Sequence, residues 1–119
     1  MEIRFQVPKS ILVALNQLFE IEQKLNKNGD TANLQRHVTK MKDAFAEFGL
    51  AYEDPMGQSF KETRTDLEAT ISGAGTENLV VVEVIKPIVR ATLREGSAEF
   101  SKIIQQGIVV VESRKETNP

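Results

Sequence analysis

The sequence predicts an α+β fold, a helical hairpin over residues 1–50 followed by a small β domain over residues 66–114. Three observations predict it. Apolar residues recur at helical spacing through the first half. β-branched residues and glycines gather in the second, where five of the seven glycines follow Pro55. The link between the two helical segments, NKNGDT, is short enough to make them antiparallel neighbours.

The first helix runs through PKSILVALNQLFEIEQKLNKNG, with Pro8 or Ser10 to open it and Gly29 to end it. Ile11, Leu15, Leu18 and Leu25 recur at spacings of 4, 3 and 7, with Leu12 and Phe19 one position further round. That stripe is wider than a coiled-coil seam. For the second helix, Asp30 or Thr31 suits the N-cap, and Leu34, Val38, Met41, Phe45 and Phe48 form the apolar face. Gly49 stands where a left-handed exit is expected. Two helices alone leave an apolar stripe uncovered. A second copy would cover it by making a four-helix bundle, and so would the chain's own sheet. Periodicity does not choose between them.

Residues 51–65, within FGLAYEDPMGQSF and KETRT, read as a connector that is unusually apolar. DLEATISG alternates as a strand, and GAGTEN reads as a hairpin turn. NLVVVEVIKPIV is rich in β-branched residues, with Pro87 at an edge, bulge or end. ATLREGSAEFSK reads as a polar excursion, and IIQQGIVVVES as a last strand bent at Gly107. Residues 115–119 read as a flexible tail.

The chain has 119 residues, 40% hydrophobic and 27% charged, which is globular composition. A formal charge of −2 and a pI of 5.5 argue against a phosphate-backbone binder. There is no cysteine, which excludes disulfides, thiolate catalysis and cysteine-ligated zinc. No segment approaches the roughly 18–20 apolar residues of a membrane span, and the N-terminus lacks the layout of a signal peptide. A cytoplasmic protein with neither a membrane nor a nucleic-acid partner is expected.

No active site assembles from these residues. His37, the only histidine, has no acid or nucleophile beside it by local spacing and reads as a helix-surface residue. Gly73 and Gly75 do not join a strand to a helix in the manner of a phosphate loop. Glu53 and Asp54 are adjacent and so point apart, and no calcium-loop pattern surrounds them. The serines lack a nucleophile-elbow context. The expectation is a binding protein rather than an enzyme, with no cofactor and no metal.

Five segments follow one another in a distinctive order: Phe48-Gly49-Leu50, then Asp54-Pro55-Met56-Gly57-Gln58-Ser59-Phe60, then Leu67-Glu68-Ala69, then LVVVEVI followed by Lys86-Pro87-Ile88, and GIVVVES at the end. In that order they resemble the GrpE family, the dimeric nucleotide exchange factors of Hsp70 chaperones. ILVALNQLFEIEQKL is similar to the family's bundle helix. The similarity spans about Lys9 to Arg114.

The resemblance implies a homodimer held by a four-helix bundle, with Ile11, Leu15, Leu18, Phe19, Val38, Met41 and Phe45 in the dimer face. It implies a small β-wing that grips the nucleotide-binding domain of an Hsp70-type chaperone and promotes ADP release by stabilising the open cleft. Matching positions put Arg64, Asp66, Glu68, Lys86, Ile88 and Gln105 at the chaperone, and Gly49, Pro55, Gly57 and Phe60 in a packed hinge. The departures are specific. The family's long coiled-coil helix has no counterpart ahead of Pro8. Leu67 replaces a histidine, Pro87-Ile88 replaces a Gly-Tyr step, and Gln105-Gln106 replaces a basic step. They motivate a second reading, an adaptor that docks an Hsp70-like partner without exchange activity.

Overall fold

The computed structural model describes residues 7–114. Helix α1 spans Lys9–Asn28 and α2 spans Gln35–Glu47. Pro8 opens α1, its carbonyl accepting from the Ile11 amide at 3.0 Å. The Asp30 carboxylate accepts from the Leu34 and Gln35 amides at 2.6 and 3.0 Å, so it satisfies two orphan donors of α2 from one turn upstream. Gly49 leaves α2 at φ 79°, and its amide donates to the Ala46 carbonyl. A Cβ there would drive into the Thr92 carbonyl oxygen, so this exit requires glycine twice over.

Six strands follow: β1 Leu50–Glu53, β2 Leu67–Ser72, β3 Leu79–Lys86, β4 Ile88–Glu95, β5 Ala98–Gln105 and β6 Gly107–Ser113. They form two three-stranded sheets, ordered β1-β4-β5 and β2-β6-β3. The chain divides into two units. One takes the chain up to Tyr52 with Arg90–Ile104, and the other takes Glu53–Val89 with the chain from Gln105.

The expected fold is corrected here. A helical hairpin dimerising as a four-helix bundle ahead of a small β-wing does not describe six strands in two sheets. Leu15, Leu18, Phe19 and Val38, the centre of the helical stripe, are already buried in the single chain. In the first unit α1 meets β1 directly: the Phe19 and Tyr52 rings stand edge to face, 5.8 Å between centroids. The centre of the stripe is thus covered within the single chain, with Phe19 against strand β1.

The strand readings change with it. The start of the connector is strand β1. ATLREGSAEFSK is no excursion: it holds most of β4 and β5, joined by Gly96-Ser97 with Gly96 at φ 62°. A glycine at positive φ in a two-residue loop is the geometry of a tight hairpin. Pro87 separates β3 from β4, and Gln106 separates β5 from β6. GAGTEN does not close a hairpin, because β6 lies between β2 and β3. β6 runs parallel to β2, Leu67 opposite Gly107, and antiparallel to β3, Leu79 opposite Ser113. The tail at 115–119 lies outside the described residues.

Candidate functional site

The second unit holds most of the positions singled out by sequence. Its core is Leu67, Leu79, Val81, Ile88, Val109 and Val111, with Phe60, Ala69 and Val84 packed against it. Alternation along β6 sends Val109 and Val111 inward and leaves Ile108, Val110 and Glu112 on the opposite face. A Cβ at Gly107 would lie 2.8 Å from the Leu67 side chain and 2.9 Å from that of Ile88, so the start of β6 must approach its neighbours bare.

One edge of β3 pairs with β6. The other is taken, over its first residues, by the segment following Pro55. The Gly57 amide donates to the Val81 carbonyl at 3.0 Å, the Val81 amide to that of Gln58 at 2.9 Å, and the Phe60 amide to that of Leu79 at 2.8 Å. This segment is a strap on the sheet edge, which would otherwise present unpaired backbone groups. Pro55 is buried at its start and Phe60 is half-buried at its end. Pro55, Gly57 and Phe60, expected in a hinge, are therefore held against β3, while Gly49 ends α2 in the first unit.

Arg64 ties the strap to the head of β2. Its Nε and Nη2 donate to the two Asp66 carboxylate oxygens, each at 2.9 Å. Its Nη1 donates to the Gln58 side chain at 3.0 Å and to the Ser59 carbonyl at 3.2 Å. The fork matches a carboxylate and a loop at once, which lysine could not do. The hydrogen bond to Asp66 raises the guanidinium pKa further above its ordinary value. Arg64 and Asp66, expected at the chaperone, are thus engaged with one another.

The other four expected contact residues separate. Ile88 is 1% exposed and belongs to the core, so it is corrected to a packing residue. The Gln105 amide donates to the Pro87 carbonyl at 2.9 Å. Glu68 and Lys86 are exposed. Register places them on one rung, either side of Ile108. Sequence reasoning passed over Glu83 and Glu112, which share that face. The signal was weak because LVVVEVI is apolar at both parities and β3 is bulged between Val81 and Glu83 and between Val84 and Lys86.

The first unit carries a polar cluster that the sequence did not reveal. Glu22 on α1 accepts from the Tyr52 hydroxyl at 2.9 Å, the Gln35 amide at 3.2 Å and the Lys42 ammonium at 3.3 Å. Burial alone would raise the Glu22 pKa; the hydrogen bonds from Tyr52, Gln35 and Lys42 and the ammonium charge outweigh it, and the carboxyl lies below its ordinary value. The Lys42 ammonium also lies 5.0 Å from the centre of the Tyr52 ring. Of the positions expected in a dimer face, Leu15, Leu18, Phe19 and Val38 are buried, Ile11 and Phe45 are half-buried, and Met41 is 49% exposed.

A groove of about 590 Å³ in the second unit is lined by Phe60, Lys61, Ile71, Asn78 and Arg114 among others. It is shallow, and no buried polar side chain points into it. Among the described residues no three histidine or acidic side chains converge as a metal site, and no helix is long and apolar enough to cross a membrane. His37 is exposed on α2. Comparison with protein-family models, with curated proteins and with solved structures finds no match.

Proposed function

We propose that this chain is a GrpE-like co-chaperone that binds the nucleotide-binding domain of an Hsp70-type chaperone and promotes ADP release. The observation that carries the reading is where the resembling segments fall. Gly49 supplies the left-handed exit of α2, Asp54–Phe60 supplies the strap, Leu67-Glu68-Ala69 opens β2, and GIVVVES is the central strand β6. Each resembling segment has a distinct structural task, and the tasks follow one another in the family's order.

The mechanism needs no bond-making. A factor that binds the open form of a nucleotide cleft more tightly than the closed form shifts the population toward release. About 1.4 kcal/mol of differential affinity changes the ratio of the two forms tenfold. The second unit suits such a task, because strap, clasp and core hold its surface in one shape before binding.

One observation favours the adaptor as a second reading. Where the resemblance sets a Gly-Tyr step, this chain has Pro87 and Ile88, and both are buried. Neither is then available at the surface to take the place of that step. Release of a fluorescent ADP analogue from the cognate Hsp70, with and without the chain, separates the two. Faster release supports exchange. Binding without acceleration supports the adaptor. Absence of binding overturns both.

A further inference from the structure

The turn between the two helices carries a chemistry that the functional reading does not use. The backbone nitrogen that follows an asparagine can attack the asparagine side-chain amide, because the two close a five-membered ring. A side chain on the following residue crowds that approach, and glycine has none. The chain has six asparagines, and only Asn28 precedes a glycine.

The structure adds the conditions that the sequence lacks. Asn28 is the last residue of α1 and is exposed. Among the described residues nothing hydrogen-bonds its side chain. Gly29 leaves the helix at φ 86°, with open space beside its Cα. The attacking nitrogen is held by one bond, which its N–H donates to the Leu25 carbonyl at 2.9 Å. Helix ends fray, and each opening frees that nitrogen and lets Asn28 leave its helical conformation. The other described asparagines are held differently. Asn16 and Asn26 lie inside α1, where the next nitrogen belongs to the helix ladder. After Asn33, the Leu34 amide donates to the Asp30 carboxylate at 2.6 Å. After Asn78 stands the buried Leu79.

We propose that Asn28-Gly29 is a self-modifying site that converts to aspartate and isoaspartate and loosens the helical turn as the chain ages. The Gly29 nitrogen loses its proton and bonds to Asn28 Cγ. The Cγ–Nδ2 bond breaks, ammonia leaves, and a succinimide remains. Water then opens either carbonyl of that ring. One water is consumed, one ammonia is released, and no oxidant or enzyme takes part. Opening at Cγ gives aspartate, a negative charge at the negative end of α1 and two positions from Asp30. Opening at the backbone carbonyl gives isoaspartate and adds one atom to the main chain. That atom enters just ahead of Asp30, whose carboxylate accepts from the Leu34 and Gln35 amides at the start of α2. The site is independent of the co-chaperone reading.

The test ages the full folded chain at physiological temperature, from neutral to mildly alkaline pH. Peptides are mapped by mass, and isoaspartate is counted by enzymatic methyl transfer. Conversion should concentrate at Asn28, at least several times faster than at any other asparagine. It should quicken as pH rises, because the attacking nitrogen must shed its proton. Asn28→Gln should all but abolish it, since a longer side chain must close a larger ring. Asn28→Asp supplies the charge without the extra backbone atom and should lower the melting temperature by a few degrees. Aged wild type should also lose hydrogen-exchange protection at the Leu34 and Gln35 amides, which Asn28→Asp should keep. A folded chain that stays intact while the urea-unfolded chain converts would show that the helix end shields Asn28, and the proposal falls. Faster conversion at another asparagine also overturns it. Conversion at Asn28 with melting and exchange unchanged would overturn the loosening of the turn.

Discussion

The two units close their cores with different materials. In the first, side chains do it. Leu15, Leu18 and Phe19 of α1 and Val38 of α2 are buried, Phe19 meets Tyr52 of β1, and Glu22 gathers Tyr52, Gln35 and Lys42 around one carboxylate. In the second, the core is almost wholly aliphatic, and backbone completes the edge: the strap donates to and accepts from β3 at Gly57, Gln58 and Phe60. Side-chain closure depends on volume and titration. Backbone closure depends on chain conformation and on the clasp that holds the strap. The two units therefore have distinct weaknesses.

Four substitutions would break or sharpen that contrast. The largest effect is expected from Phe19→Ala, about 3–5 kcal/mol by loss of a buried aromatic and the cavity it leaves. Chemical denaturation followed by Tyr52 fluorescence measures it. A loss below about 1 kcal/mol would mean that the first core does not rest on this ring.

Gly49→Ala and Gly57→Ala form a matched pair, since their φ angles are 79° and 80°. At Gly57 a Cβ meets open space, so only the left-handed backbone is penalised, about 1–2 kcal/mol. At Gly49 the Cβ also meets the Thr92 carbonyl, and the loss should reach about 2–5 kcal/mol. Equal melting temperatures for the two variants would remove the close approach from the account.

Arg64→Gln should cost about 1–2 kcal/mol, allowing for its part exposure, and should do so by loosening the strap. Hydrogen exchange is the direct measurement: the Gly57 and Phe60 amides should lose protection while those of β6 keep theirs. Uniform protection in the variant would show that the clasp is dispensable.

Glu22→Gln is the smallest, about 1 kcal/mol or less at neutral pH. Its value lies in the pH profile. A carboxyl held below its unfolded value stabilises the fold above that value, and the contribution is lost as pH falls through the lower folded value. Wild type should therefore weaken relative to Glu22→Gln as pH drops below the ordinary 4.5. Parallel urea midpoints at all pH values would show that the cluster contributes nothing by charge.

Much of the candidate site was legible as segments and little of it as a surface. The strap segment stood out in sequence because DPMGQSF combines turn residues with an aromatic anchor. Its task, capping an edge of β3, was not visible, because backbone hydrogen bonds are indifferent to residue type. Arg64 and Asp66 were singled out together but given an outward role. Two residues apart in a loop, their side chains turn to each other, and Arg64 also reaches Gln58 and Ser59 of the strap, contacts that sequence spacing does not specify.

By itself the sequence determined what is local. The 3.6-residue period set both helices and Gly49 set the end of α2, since each depends on neighbours within about a turn; the N-cap expected at Asp30 or Thr31 falls instead at Leu34, with Asp30 accepting from the Leu34 and Gln35 amides from upstream. β-branched runs marked β3 and β6 for the same reason. The tertiary structure decided which strands meet. β2 pairs with β6 across Leu67 and Gly107, some forty positions apart, and no local preference encodes that partner. It also decided that the helical stripe is covered by its own chain. An apolar stripe specifies that it be buried, because leaving water is what lowers its free energy, and that driving force has no direction and names no partner.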